Sequence, residues 1–314
     1  MPANRMRVDP RRPAKLVLSL ATIYLVWGSS FLFSKIAVEH LPAALLAGVR
    51  FTTSGVVLAL VARLWNGESW SIGLVELRHV AIAGSLMVFA SNGLNVWAMQ
   101  FLPSHESALL HGTSALWIAG LGMFGRRGHP LTRRALFGLG IGFAGTMLML
   151  APGGAHESPM YAKLAALAAC FAWALGTLYY RSIDTRLSAL MFVSLQMLVG
   201  GVMLLATGLA AGEAGRWTLD APGALSLAYL TFVSSCLAYW AFTWLALNAT
   251  PAVIGTYSYV NPAIATYLGW QFLHESLSKG QLAGMAVVIL GVLIVTLPGA
   301  RTVDRKLLDE PTAS

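Results

Sequence analysis

Residues 248–279 read NATPAVIGTYSYVNPAIATYLGWQFLHESLSK, and the reading of this stretch decides the fold. It holds an apolar run, Val253 to Leu273, of the length a helix needs to cross a bilayer, about 17–25 residues. Yet the first half of the run carries Thr256, Tyr257, Ser258, Tyr259, Asn261 and Pro262. Pro262 has no N–H to donate and disfavours helical geometry at Asn261. In hydrocarbon, carbonyls freed by a proline must find partners in protein or in a watery cavity. The segment therefore reads in two ways: a proline kink buried between packed helices, or one wall of a solute pathway.

Working outward, the composition agrees with a membrane setting. Of 314 residues 57% are hydrophobic and 11% charged, with mean hydropathy +0.67; soluble domains carry roughly 25% charged residues. Ten apolar runs of spanning length occur, at about 16–34, 43–65, 80–102, 104–124, 135–151, 161–180, 188–211, 225–247, 253–273 and 280–297. The loops between them leave no room for an ATPase module. The N-terminal basic segment and first run resemble a signal peptide, but the run lacks an A-x-A site and is read as a retained span.

The net charge of +8 reports topology, not a nucleic-acid partner. With ten spans both termini share one side, and that side holds 16 of the 21 Lys and Arg residues, Arg126, Arg127, Arg133 and Arg134 among them. The positive-inside rule then places both termini in the cytoplasm. Cys170 and Cys236 both fall inside spans, which supports neither a disulfide framework nor a metal site. No cofactor is expected.

Shifting the chain by 146 residues aligns its halves: Trp27 meets Trp173, Lys35 meets Arg181, Arg50 meets Gln196, Gly55 meets Gly201, Gly138 meets Gly284, Gly145 meets Gly291 and Pro152 meets Pro298. Five spans per half is an odd number, so the second half would enter the membrane upside down. The expected architecture is an all-α integral membrane protein of ten transmembrane helices in two inverted five-helix repeats. Its parts are a cytoplasmic N-terminal tail (1–15), a first repeat (16–152), a second repeat (153–298) and a cytoplasmic C-terminal tail (299–314). Inverted repeats are a device of secondary transporters, with the site near the midplane where the repeats meet.

Two stretches also resemble a family. WGSSFLFSKIAVEHLPAALLAGVRF, Trp27 to Phe51, is similar to the start of an EamA-type member of the drug/metabolite transporter superfamily. TYSYVNPAIATYLGWQFLHESLSKGQLAGMAVVILGVLIV, Thr256 to Val295, is similar to its end, a proline-containing ninth span closed by a G-E-like turn before a Gly-rich tenth. The resemblance covers essentially all ten spans. It implies a bacterial inner-membrane carrier, with metabolite or amino-acid export as the usual assignment. Two features depart from the pattern: Ser114-Ala115-Leu116 stand where the fourth span commonly has a proline, and the turn after it is basic, Gly125-Arg126-Arg127-Gly128, without a Glu.

The candidate substrate pathway is neutral and aromatic: Trp27, Ser30, Asn92, Asn95, Trp97, His111, Trp173, Tyr239, Tyr257, Asn261 and Pro262. Each has a blander reading. The small run Gly28-Ser29-Ser30 lets backbones approach closely. Asn92 and Asn95, one helical turn apart, serve as interhelical glue or as solute contacts. His111 is a structural hydrogen-bonder or, with an ordinary pKa near 6.5, a group that binds a carboxylate or carries a proton. Lys35 and Arg50 are snorkelling anchors, or they join Glu39 and Glu275 as gate or charge residues. The Gly-rich fifth and tenth spans read as packing surfaces, with a homodimer face as one use.

All 13 acidic residues fall in tails, turns or span ends, so the proton relay expected of a cation-drug antiporter has no mid-span carboxylate. No H-E-x-x-H, G-x-S-x-G or buried acid pair marks an embedded enzyme. The expected function is non-ATP export of small metabolites, amino acids or similar zwitterionic or neutral solutes. The alternatives are a proton-coupled multidrug efflux carrier and, from another class, a non-transporting membrane scaffold or a channel.

Overall fold

The first helix, α1 (Arg12–His40), runs past its expected end at residue 34, so Lys35 and Glu39 ride its last two turns. The leucine-proline pair 41–42 then stops it, and α2 (Ala43–Asn66) starts directly after Pro42. The computed structural model describes residues 12–67, 72–122, 133–150, 158–248, 257–276 and 278–296. The tails, the basic turn 125–128 and the start of the expected ninth span, 253–256, lie outside the described residues.

Every regular element among the described residues is helical. After α2 come α3 (Leu74–Ala83), a π-helical segment π1 (Gly84–Asn92) and α4 (Gly93–Ala98), which form one continuous rod. Next are α5 (Ser104–Gly112) and α6 (Ser114–Leu121), separated at Thr113, then α7 (Arg133–Leu150), α8 (Met160–Ser182) and α9 (Ala189–Ala210). A 3₁₀ turn, Glu213–Arg216, leads to a second continuous rod: α10 (Ala221–Ala228), π2 (Tyr229–Leu237) and α11 (Ala238–Asn248). Last are α12 (Tyr257–Leu273), with Pro262 inside it, and α13 (Lys279–Thr296).

Among the described residues six helical runs are long and apolar enough to span a membrane: Pro13–His40, Ala43–Trp65, Leu74–Ala98, Met160–Ser182, Ala189–Ala210 and Ala221–Leu245; Leu136–Leu148 and Leu282–Ile294 are shorter apolar helices. Large apolar side chains such as Leu25, Leu60, Phe137, Val202 and Trp240 stand exposed on the outside of the bundle. That surface suits hydrocarbon and not water.

The fourth expected span departs from a plain rod. Thr113 ends α5 and precedes α6, and its hydroxyl donates to the Leu110 carbonyl at 2.6 Å. Ser114 likewise donates to the His111 carbonyl at 2.7 Å. Two successive hydroxyls bonding back to carbonyls compete with the regular ladder and interrupt it.

Lipid tails are as apolar as leucine, so helices in a bilayer associate through close packing and not through water exclusion. Among the pairs that use glycine for that purpose are α2 with α9 and α7 with α13. In α2 against α9, a Cβ on Gly55 would sit 2.8 Å from the Leu198 amide nitrogen and the Ser194 carbonyl, and one on Gly208 would sit 2.9 Å from the Leu45 amide. In α7 against α13, a Cβ on Gly145 would meet the Val288 amide at 2.7 Å, and one on Gly291 the Gly138 carbonyl at 2.7 Å. The main apolar core lies between α1, α2, α9 and the π-helical rods, around Phe51, Met191, Met197 and Leu230.

The pairings echo each other under the 146-residue shift. α1 packs on α10, π2 and α11, while α8 packs on α3, π1 and α4. π1 shifted by 146 lands on 230–238, one residue from π2.

Candidate functional site

Trp27 is the hub of the site. Its ring lies 5.4 Å from Tyr239 and 5.4 Å from Tyr257, both edge-on, and 5.3 Å from Phe242. Its indole N–H donates to the Ser234 carbonyl at 3.2 Å. The cluster joins α1 to α11 and α12, so it combines residues from opposite ends of the sequence. Trp173 and Ser258 neighbour the Tyr257 hydroxyl.

Arg50 lies directly behind this cluster. Its Nε–H donates to the Ser235 hydroxyl at 2.9 Å and its Nη2 to the Ser234 hydroxyl at 3.2 Å. The residue is 7% exposed, and its titratable neighbours are Tyr239 and Cys236. Among the described residues no carboxylate forms an ion pair with it. This overturns the reading of Arg50 as a snorkelling anchor: a snorkelling head reaches the interface, whereas this guanidinium points inward to π2.

His111 stands at the junction of α5 with α1 and α8. Its ring is 5.8 Å from Phe31 and its Nδ1 is 3.9 Å from the Cys170 sulfur. Cys170 is also a neighbour of Tyr257, so His111, Cys170, Tyr257 and Trp27 form one contiguous path. In α12, Pro262 removes the hydrogen bond that the Ser258 carbonyl would accept. α5 presses against that freed carbonyl at Gly112, where a Cβ would lie 3.1 Å from the Ser258 oxygen. Asn261, 6% exposed, has a buried side-chain oxygen with no partner. The kink is thus packed against protein, with the unpartnered Asn261 oxygen beside it.

Other expected pathway residues go elsewhere. Ser30 donates to its own helix at the Trp27 carbonyl, 2.7 Å. Asn92 donates to the Met87 carbonyl at 2.7 Å, inside π1. Asn95 accepts from Ser107 at 3.0 Å and so ties α4 to α5. Asn95 thus bridges two helices, while Asn92 bonds within its own. Trp97 is 39% exposed and packs with Phe101 and Tyr161, away from Trp27.

The end of the bundle bearing Pro103 carries a polar cluster around Glu275, one of the expected gate or charge residues, with partners that the sequence did not show. Glu275 lies at the N-terminus of α5, where unpaired N–H groups and the helix dipole favour an anion. It accepts from the Ser104 amide at 2.6 Å, the Ser104 hydroxyl at 2.8 Å, the His105 amide at 3.2 Å and His105 Nδ1 at 2.7 Å. Burial pushes the Glu275 carboxyl up, but the hydrogen bonds from His105 and Ser104 outweigh it and hold it below its ordinary value. Beside it, Lys163 pairs with Glu106 at 3.2 Å, and Ser158 bonds the same carboxylate. Lys35 donates to the Met99 carbonyl at 3.0 Å and pairs with Glu39 at 3.7 Å. Glu213 accepts from the Leu45 amide at 2.8 Å and caps α2. A cleft of about 380 Å³ opens among Lys35, Glu39, Phe101, Ser158 and Glu275. A second, of about 580 Å³, opens sideways between α1, π2 and α12, lined by Val26, Ser29, Tyr229 and Ile264. Trp27 and Arg50 line neither of these two clefts.

The helices, the apolar exterior and an inner seam of aromatic and polar groups define a multi-pass membrane protein. The chain belongs to the EamA-like transporter family, which matches residues 14–151 and again 160–297. It is 32% identical over 281 residues to an uncharacterized inner membrane transporter, YedA, of Escherichia coli K12, covering 89% of this chain and 90% of that one. It is 28% identical to the uncharacterized transporter YvbV of Bacillus subtilis 168, covering 90% and 91%. It is 26% identical to a protein of Salmonella typhimurium LT2 named a probable amino-acid metabolite efflux pump, covering 87% and 91%. One solved crystal structure shares the fold with TM-score 0.64 and 21% identity, over 90% of this chain and 96% of that one. The protein is thus a transporter and not an enzyme.

Proposed function

We propose that the chain is a secondary carrier that exports small metabolites, amino acids or similar zwitterionic solutes, by alternating access between two inverted five-helix repeats. The reading has ten spans, with repeats at 16–152 and 153–298 and both tails in the cytoplasm of a bacterial inner membrane. The observation that carries it is the Trp27–Tyr239–Tyr257 cluster, which draws one residue from the first half and two from the second onto a single seam. The paired helix packings, the matching π-helical segments and the double family match support the repeat. The Salmonella relative's name supports amino-acid metabolites as the first class to test.

The energetics favour downhill exchange over proton-driven efflux. Every acidic residue among the described ones (Glu39, Glu76, Glu106, Asp184, Glu213, Asp220 and Glu275) lies at a helix end or in a turn. A proton-driven exchanger of cations needs an acid that trades protons for solute in mid-membrane. The Pro103 end, stapled by Glu275 and Glu106, serves as the closed outer gate in this conformation. Counterflow in proteoliposomes is the test. Vesicles of purified protein, preloaded with one unlabelled amino acid at a time, should show a saturable overshoot of the labelled form with some members of the panel. Conductance without counterflow would mean a channel, and no flux of amino acids, metabolites or drugs would mean a scaffold.

A further inference from the structure

We propose that Arg50, held by Ser234 and Ser235 behind the Trp27–Tyr239–Tyr257 cluster, is the anchor for a solute carboxylate, which assigns the site to α-amino acids. The inference rests on the carrier reading above.

Three observations converge. The first is depth without a counter-ion. Arg50 is the eighth residue of α2, about 10 Å along the axis from the helix start at 1.5 Å per residue. An arginine inside a membrane bundle is costly and as a rule pairs with an acid or faces a pathway. Among the described residues Arg50 has two hydroxyls hydrogen-bonded to it and the Phe51 ring 4.6 Å from its guanidinium carbon, but no carboxylate. A guanidinium offers five N–H donors in a planar fork, so those two bonds leave donors for a planar carboxylate, the partner the fork matches best.

The second is position. Ser234 links the guanidinium to the aromatic hub, because its hydroxyl accepts from Arg50 while its carbonyl accepts from the Trp27 indole. A solute with its carboxylate on Arg50 would lay its remaining groups against the rings of Tyr239 and Trp27. An ammonium beside the carboxylate is attracted to such ring faces, and an apolar side chain packs on the same surface. An α-amino acid supplies all three parts within one small molecule.

The third is the contrast between the halves. The repeat-related position of Arg50 is Gln196, 3% exposed and neutral. The positions matching Ser234 and Ser235 are Val88 and Phe89. The second half packs its corresponding helix with no buried cation, so the architecture does not need one. The charge is specific to the site that Trp27 organises.

The test is equilibrium binding to the full chain in lipid nanodiscs. The probes are labelled L-leucine, L-methionine, L-phenylalanine and L-threonine, each competed by the unlabelled acid and by its carboxamide. At least one acid should bind saturably, with its carboxamide weaker by about tenfold or more, the loss expected for a charge-assisted hydrogen bond. Arg50→Gln should erase the preference for the acid, and Arg50→Lys should keep a weakened one. The pair Ser234→Ala/Ser235→Ala retains the charge but frees the fork, and should weaken the acid without affecting the carboxamide. Acid and carboxamide competing within about twofold in the wild type, or a preference that survives Arg50→Gln, would overturn the proposal, as would no binding of any acid. Counterflow on the same preparation separates the two readings. Saturable exchange of solutes without a carboxylate, and of those alone, would leave the carrier standing and remove the anchor. Acid binding without counterflow of any solute would keep the anchor and remove the carrier.

Discussion

At the scale of single residues, the structure assigns work to small or polar groups whose neighbours are far away in sequence. Gly112 is one: it admits the Ser258 carbonyl that Pro262 leaves without a partner. Gly112→Val should destabilise the protein by about 1–3 kcal/mol, as overpacking does, read as a lower melting temperature in detergent. Asn261 offers an unpartnered oxygen at the same kink, and Asn261→Ala should cut counterflow about fivefold, the worth of one hydrogen bond, with unchanged membrane insertion. Normal flux from that variant would remove Asn261 from the pathway. Glu275 carries a pH signature. Its folded pKa lies below the ordinary 4.5, so its stabilising contribution is complete above that value and is lost as the pH falls through the folded pKa. Melting temperature should therefore drop as the pH falls below about 4, and Glu275→Gln should flatten that part of the profile. Some of these assignments were legible early. Trp27, Tyr239 and Tyr257 were among the aromatic residues expected along the pathway, and both tyrosines meet Trp27. Trp97 was expected beside them and packs instead with Phe101 and Tyr161, because one residue's turn around a helix decides whether it faces the seam or the outside.

At the scale of helices, glycine contacts decide which pairs are inseparable. Gly145 and Gly291 bring α7 and α13 into backbone contact, whereas Gly140, on the same helix, has nothing within 4 Å of its would-be Cβ. Gly291→Leu should thus destabilise by about 1–3 kcal/mol, and Gly140→Leu should leave the melting temperature near that of the wild type. Equal effects from the two would mean that the α7–α13 contact is not what holds these helices. The Gly-rich character of both helices was visible in the sequence, but which glycines touch was not. The π-helical segments were invisible: Leu74–Ala98 and Ala221–Leu245 carry no proline in their centres, and an i→i+5 turn has no residue signature. Their effect is local, since π2 carries both serines that hold Arg50.

At the scale of the whole molecule, the question is what drives transport. With the acids of the described helices confined to their ends, wild-type counterflow should run at equal rates with and without a pH gradient. A strictly gradient-dependent flux would refute downhill exchange, and its survival in His111→Ala would show that the proton does not travel through that histidine. Topology is checked apart from transport. Reporter fusions at residues 1 and 314 should both report the cytoplasm, the orientation that the positive-inside rule predicts; a periplasmic report from either would overturn it.

The sequence by itself determined the class of the molecule. Apolar runs of spanning length, sparse charge and two family-like stretches at opposite ends specify a helical membrane transporter, because each property is local or additive along the chain. The 146-residue register, too, needs only the linear order of residues. Only the tertiary structure decided that Arg50 is buried with no acid among the described residues paired to it, that Glu275 and Glu106 bind across one end, and that Ser258's freed carbonyl is met by Gly112. Each depends on which face of one helix lies against which face of another, and a lipid-embedded helix that is apolar on nearly every side carries no periodic pattern to announce that choice.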